Sequence, residues 1–375
     1  MGLAPAVAAV RLAVRALLRD PPPGTGLGLP PGLPPHDAAA GCEPVVVACS
    51  GGADSLALLA GTVFEARKVS VPVLGATVDH GLQADSAARA AEVVDQMKRL
   101  GAADTVSVRV SVSPSGQGIE AAAREARYAA LSKVAAEHGS RMVLLGHTRD
   151  DQAETVLLGL TRGSGGRSLA GMPASFDGLF FRPLLDVTRE QTEAACRAEG
   201  IAFWSDPHND DPRFTRSRIR HRVLPVLEAE LGPGVAAALA RTADMVRADV
   251  EALDRIAQQW FDEHQSSGRA DSGSGIGPEG GSAGALERGS ADALEQGGAG
   301  VALDVAELVA LDEAIRLRVL RLAALAAGCP AGELFRVHLL HVDRLVRAYT
   351  GQQRIELPGR VHAVRDGRLL HFLRP

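Results

Sequence analysis

From residue 43 the chain alternates short apolar runs with stretches whose apolar positions recur every three or four residues. The runs VVVACS, VPVLGATVDH, TVSVRVSV and RMVLLGH are rich in β-branched residues and read as strands. Between them, spacings such as Leu56, Leu59 and Val63 predict helices around residues 55–68, 85–100 and 120–138. Strands alternating with helices predict an α/β fold, a doubly wound parallel sheet in which ligands gather at the carboxyl ends of the strands. Three of those ends carry polar residues: Ser50 to Ser55, Asp79-His80, and His147 to Asp151.

The flanks read differently. In AVAAVRLAVRALLRD, Arg11, Arg15 and Arg19 interrupt the apolar run every four residues, which excludes a secretory core and predicts an amphipathic helix. PPPGTGLGLPPGLPP follows as an extended linker, so residues 1–42 are set apart from a catalytic domain at 43–225. Residues 226–263 read as a helical connector, and 264–300, dominated by Gly, Ser and Ala, as disordered. Residues 301–375 predict a smaller domain of two amphipathic helices and a β-hairpin turning at Asp366-Gly367. No stretch is apolar for long enough to span a bilayer, so no membrane is expected as a partner.

Composition narrows the picture modestly. With 375 residues and 46% hydrophobic content the chain can bury one large core and a smaller one. A formal charge of -5 argues mildly against nucleic-acid binding by the whole surface, which leaves the decision to local patches. Lys68, Lys98 and Lys133 are outnumbered many times by arginine, the bias of a GC-rich bacterial genome. Cys42, Cys49, Cys196 and Cys329 form no CxxC pair, so neither a disulfide framework nor a zinc or iron–sulfur site is indicated, and a reducing cytoplasm fits. His338 and His341 share a helix face but lack a matching ligand set, and read as surface or core residues.

The chemistry is expected at EPVVVACSGGADS, where a strand runs through a glycine turn into a helix start. Backbone N–H groups there face an anion, although no Gly-Lys-Ser/Thr follows and the loop is therefore not a Walker A motif. The alternative is an ordinary turn capped by Ser50 or Asp54. In GHTRDDQAETVLLGL, Asp150 and Asp151 either cap a helix or bind metal and act as a base beside a nucleotide, with His147 close to the reacting groups. Arg124 and Arg127 offer charged forks to a phosphate or stay solvated, and the glycine-rich RGSGGRSLAGMP, with Arg162 and Arg167, is a connector or tracks a phosphate backbone. Arg213, Arg216, Arg218, Arg220, His221 and Arg222 form an electrostatic footprint for RNA unless Asp206, Asp210 and Asp211 neutralise it. Phe203 and Trp204 either stack on a base or belong to the core.

Ser50-Gly51-Gly52-Ala53-Asp54-Ser55 resembles the SGGxDS signature of the PP-loop ATP pyrophosphatases, which cleave ATP to AMP and pyrophosphate. The resemblance implies that these six residues, with Asp79 and His80, hold ATP, and that a magnesium ion stands between Asp54, with Asp151, and the phosphates. The ordered set SGGADS, VDHGLQADS, EAAAREARYAAL, GHTRDDQAETVLLGLTRGSGG, LAGM, RPLLDVTR and SDPHNDDPRFTRSRIRHRVLP resembles, more narrowly, the bacterial tRNA(Ile)-lysidine synthases across residues 43–230. That resemblance implies a tRNA(Ile) partner with a CAU anticodon, free L-lysine as second substrate, and lysidine at cytidine 34, which switches decoding from AUG to AUA. Adenylation of the cytosine C2 oxygen makes it a leaving group that the lysine amine displaces as AMP. The implied roles are a base at Asp150 or Asp151, charge stabilisation by Arg127 or Arg124, and tRNA contacts from the arginines at 162, 167, 213, 216, 218, 220 and 222.

This chain departs from the family pattern in Thr148, where many relatives have a second histidine, and in Ser217, where an asparagine is common. It also has room for only one reduced C-terminal domain, and a homodimer is left open. A 2-thiocytidine synthase of the same superfamily is disfavoured by the absence of paired CxxC motifs. A glutamine-fed amidotransferase is disfavoured because no glutaminase domain is evident, and a non-catalytic RNA adaptor by the intact Asp54, Arg127 and Asp150-Asp151.

Overall fold

The computed structural model describes residues 2–21, 43–81, 85–111, 119–163, 165–206, 210–267, 300–351 and 354–374. The chain divides into two compact units, Met1–Arg247 and Ala248–Pro375. Of the expected 1–42 segment the helix, Pro5–Arg19, is described, whereas the linker from residue 22 and most of the 264–300 stretch lie outside the described residues.

The first unit opens with helix α1 (Pro5–Arg19), followed by β1 (Val45–Ala48), α2 (Ala53–Ala66), β2 (Val73–Asp79), α3 (Ser86–Arg99), β3 (Asp104–Arg109), α4 (Ile119–Glu137) and β4 (Met142–Leu144). Then come α5 (Arg149–Arg162), α6 (Gly166–Leu169), β5 (Ser175–Phe176), β6 (Phe180–Phe181), α7 (Arg189–Ala198) and α8 (Thr215–Arg218). A wider π turn, Ile219–Val223, leads into α9 (Leu224–Leu231), and α10 (Val235–His264) follows. The boundary between the units falls within α10, so the 226–263 segment is shared between them.

The six strands lie in the order β3-β2-β1-β4-β6-β5, parallel except for β5. The alternation along β1 explains the two-sided core. Val45 and Val47 pack with Leu56, Leu59, Met97 and Leu184 on one face, whereas Val46 packs with Leu131, Val134 and Phe180 on the other. α1 belongs to the first of these faces, burying Val7, Val10, Val14 and Leu18. Gly61 of α2 permits that approach, because a Cβ there would lie 2.8 Å from Val10 Cγ1. Arg15 adds a two-pronged hydrogen bond to the buried Glu65, at 3.0 and 2.9 Å.

The sheet order reverses at β1, with β2 on one side and β4 on the other. A crevice therefore opens at the carboxyl ends of these central strands. The polar residues flagged in the sequence stand at that edge.

In the second unit a five-stranded sheet, order β7-β8-β11-β10-β9, is assembled from β7 (Ser266–Ser267), β8 (Val301–Asp304), β9 (Ile355–Leu357), β10 (Val361–Asp366) and β11 (Leu369–Leu373). The expected hairpin is present, with Gly367 at φ +54° in its turn. Helices Glu313–Ala326 and Arg336–Arg347 cover the core, tied by a buried ion pair of Arg316 with Asp343 at 2.6 Å. β7 and β8 extend the expected hairpin into a full antiparallel sheet. Among the described residues no single helix is long and apolar enough to cross a membrane.

Candidate active site

Between β1 and α2 the chain turns through Gly51, whose φ of +83° disfavours any side chain. A Cβ at Gly51 would also stand 2.8 Å from Val93 Cγ2. Ser55 stiffens the turn: its Oγ accepts from the Ser50 N–H at 3.1 Å and donates to the Gly52 carbonyl at 2.9 Å. Ser50 Oγ lies 3.3 Å from the same hydroxyl. The first helical bond runs from Leu56 N to Gly52 O at 3.1 Å, so the amides of Gly52, Ala53 and Asp54 precede the helical ladder and can receive an anion. The end of β4 presses on this turn, since a Cβ at Gly146 would come within 3.0 Å of Ser55 N.

Asp54 points from the first turn of α2 to α7. Its carboxylate meets the Thr192 hydroxyl in a short hydrogen bond and lies 3.7 Å from Arg189 Nε. Burial pushes the Asp54 carboxyl up to about 6, against the Thr192 hydrogen bond and the charges of Arg189 and Arg220.

The acidic pair opens α5, and the two residues do different work. Asp151 accepts from the Thr148 amide at 2.8 Å and the Thr148 hydroxyl at 3.1 Å, while its other oxygen takes Arg189 at 3.0 Å. Thr148 is thus the helix cap, paired with Asp151 in a capping box. Burial opposes the Asp151 charge, but Arg189, the Thr148 amide and Arg216 outweigh it and hold the carboxyl below the usual range. Asp150 accepts from the Arg189 backbone N–H at 2.8 Å.

Glu154, one turn further, is fully buried and gathers three arginines. Arg220 binds it with two nitrogens at 2.8 and 3.2 Å, Arg216 Nε lies at 3.3 Å and Arg189 at 3.5 Å. The Arg216 Nε–H is not aligned for a hydrogen bond there; instead Arg216 donates to Thr155 Oγ1 at 2.7 Å. Arg220 also reaches Asp151 at 3.5 Å from within the π turn, an irregularity that often marks functional helices.

The basic segment is therefore divided. Arg216 and Arg220, expected to contact RNA, turn inward to Glu154, while Arg213 is 81% exposed and pairs with Asp211 at 2.6 Å. Arg218 braces its own turn through the carbonyls of Pro212 and Arg213, and Arg222 is exposed. Arg167 is exposed in α6, and the side chain of Arg162 lies outside the described residues.

At the other strand ends, His147 receives Arg182 Nε–H on Nδ1 at 3.3 Å, which leaves its proton on Nε2. Burial, reinforced by Arg182 against the pull of Asp151, brings its pKa down to about 4, so it is a neutral donor at pH 7. Asp79 caps Gly81 N at 2.8 Å, and that bond holds its carboxyl below the usual range. His80 accepts from Arg127 Nε at 3.4 Å through Nε2, so its Nδ1 carries the proton and, among the described residues, is buried without a partner. That orphaned donor fits a nucleotide beside β2. Arg124 lies over the Tyr128 ring, 5.0 Å from its centroid.

Sequence reasoning did not assign roles to Arg182, Arg189 and Thr192. The available signal was the RPLLDVTR motif, which contains both arginines.

Among the described residues no group of three or more His, Cys, Asp or Glu side chains is arranged as a metal site. Both Asp151 oxygens are hydrogen-bonded, whereas among the described residues one Asp54 oxygen has only Arg189 Nε, at 3.7 Å, beside it, so Asp54 is the carboxylate that could hold magnesium brought in with a triphosphate.

Comparison with known proteins bears on the fold and the family. Residues 36–227 match a PP-loop domain family and residues 303–370 a TilS substrate binding domain family. The chain is 48% identical to the tRNA(Ile)-lysidine synthase of Streptomyces coelicolor and 47% to that of Thermobifida fusca, each over 98% of both chains. The corresponding Mycobacterium tuberculosis protein is 46% identical over 83% of each. Among solved structures, the U34-tRNA thiolase NcsA from Methanococcus maripaludis matches 65% of this chain and 80% of its own with a TM-score of 0.50. At 16% identity that match speaks to the fold alone.

Proposed function

This chain belongs to the tRNA(Ile)-lysidine synthases, enzymes that carry a PP-loop ATP-binding domain, and from that premise we propose that it ligates L-lysine to C2 of cytidine 34 in the CAU-anticodon isoleucine tRNA. One observation carries the reading: Arg189 joins Asp54, at the helix end of the anion-binding turn, to Asp151 and Glu154 in the carboxylate cluster. A nucleotide site and a site of dense, paired charge thus share one wall.

In the proposed sequence the amides of Gly52, Ala53 and Asp54 hold the pyrophosphate end of ATP. Asp54 would hold magnesium bound to the triphosphate, whose charge screens the phosphate oxygens. The cytosine C2 oxygen, turned out of the anticodon stack, attacks the α-phosphorus, and the bond to the bridging oxygen breaks to release pyrophosphate. Arg127, whose Nε–H already reaches His80, stabilises the charge gathering on the α-phosphate, with Arg124 a turn away. His147, neutral with its proton on Nε2, donates a hydrogen bond without adding charge.

The lysine ε-amine then attacks C2, the C2–O bond breaks, and AMP leaves. The amine, with a free pKa of about 10.4, must lose a proton on the way. Asp151, held below the usual range by Arg189, is a poor acceptor of that proton and is better suited to binding the substrate's charge. Asp150, whose carboxylate accepts from a backbone amide and meets no guanidinium among the described residues, is the better placed base. Arg213 and Arg222, exposed on the same segment, meet the tRNA backbone.

The test is nucleoside mass spectrometry on an unmodified CAU-anticodon transcript incubated with the protein, ATP, magnesium and lysine. The expected result is a cytidine that gains the mass of lysine less water, and no gain with Asp54→Ala. ATP cleavage to AMP with an untouched base would mean a different substrate.

A further inference from the structure

The stretch 201–206 passes over the nucleotide-binding turn and is not part of the mechanism described so far. Trp204 N–H donates to the Gly51 carbonyl at 3.0 Å. A trans peptide points its carbonyl and the following N–H in opposite directions. Holding Gly51 C=O on the Trp204 side therefore turns the Gly52 N–H away from Trp204. The Trp204 carbonyl also lies 3.9 Å from where a Gly52 Cβ would be, so this side of the turn is closed by protein.

Trp204 is itself held from α3. The Arg89 guanidinium carbon stands 3.5 Å from the centroid of the indole ring, and Gln96 Nε2 donates to Ala202 O at 2.9 Å. Val93, between them, is the side chain that fills the space a Cβ on Gly51 would take. Arg89, Val93 and Gln96 follow i, i+4, i+7 spacing and so form one stripe of α3. That stripe grips the turn directly through Val93 and indirectly through the 201–206 strap.

We propose that Trp204, clamped by Arg89, is a positioning residue that orients the Gly51–Gly52 peptide so that the Gly52 N–H faces the phosphates of ATP. The inference rests on reading the Ser50–Ser55 turn as the ATP phosphate site. It concerns ATP alone and does not depend on which base is modified. A cation stacked on a partly exposed indole is a modest interaction. Its loss should loosen the strap and leave the reacting groups in place.

The experiment is an ATP–magnesium titration followed by tryptophan emission, with steady-state kinetics alongside. The chain has two tryptophans, so comparison with Trp204→Phe isolates the signal of Trp204. Emission should change on ATP binding in the unaltered protein and not in Trp204→Phe. Arg89→Ala should raise the KM for ATP by roughly 5-fold while kcat and the KM for tRNA stay within about 2-fold, and Arg89→Lys should restore most of the loss. Should Trp204→Phe fail to fold, Arg89→Ala decides alone, because Arg89 is half-exposed and its guanidinium packs on the indole, outside the hydrophobic core. An unchanged KM for ATP in Arg89→Ala, or a Trp204 emission indifferent to ATP, overturns the inference. ATP binding with the Trp204 signal but without lysidine formation would uphold it and overturn the tRNA reading instead.

Discussion

In the Ser50–Ser55 turn every group offered to an anion comes from adjacent residues, mostly backbone, and the turn itself contains no lysine or arginine. Around Glu154, by contrast, Arg189 and Arg220 arrive from 35 and 66 residues away, and the whole arrangement depends on side-chain charge. The first half needs glycine conformations and small hydroxyls; the second needs a buried carboxylate to collect arginines that would otherwise repel one another. The difference separates two ways of making a polar site in a protein interior. One aims dipoles that are already present in the chain, and the other balances charges that only the tertiary fold brings together.

The sharpest way to break this contrast is to remove the hub. Glu154→Ala leaves three arginines around an empty buried position and should cost about 3–5 kcal/mol of stability, read as a fall in the urea midpoint at unchanged m-value. A loss below about 1 kcal/mol would mean that solvent already satisfies those arginines. Next in size, Asp54→Asn should lower kcat/KM for ATP by roughly 10²–10³-fold with little change in melting temperature. Its carboxylate bridges the halves, so equal damage to stability would make it part of the scaffold.

How much of this was legible in the sequence follows the same divide. The strand runs, the parallel α/β fold and the turn at Gly51 could be read because periodicity and local turn chemistry carry them. Asp150 and Asp151 were found as a pair, but their separate tasks depend on Thr148 and Arg189, which only the structure joins to them. Arg216 and Arg220 looked like surface charge because a single sequence shows four more basic residues beside them and nothing of Glu154. β8 was missed for a related reason: VALD is too short to read as a strand without β11 beside it.

Two smaller effects sharpen the account of the turn. Gly51→Ala combines a disfavoured φ with a contact against Val93 and should cost about 1–3 kcal/mol and weaken ATP binding, measured by calorimetric titration. The pH dependence follows from Asp54, whose carboxyl sits at about 6 because it is buried. Above that pH it is ionised and can face magnesium-bound phosphate; below it the proton neutralises it. The KM for ATP should therefore be flat above about pH 7 and rise about tenfold per unit below pH 6. A profile flat down to pH 5 would mean that Asp54 stays ionised or does not meet the nucleotide.

The most direct test of the two-part site is a paired kinetic comparison of Arg220→Ala and Arg213→Ala on the full tRNA at several salt concentrations. The structure places Arg220 on Glu154 and Asp151 and leaves Arg213 at the surface. Arg220→Ala should lower kcat with the KM for tRNA and its salt slope unchanged, whereas Arg213→Ala should raise the KM for tRNA, flatten the salt slope by about one unit, and leave kcat alone. If Arg220→Ala behaves like Arg213→Ala, the arginine cluster is an RNA-binding surface, and the division of the site drawn from Glu154 is wrong.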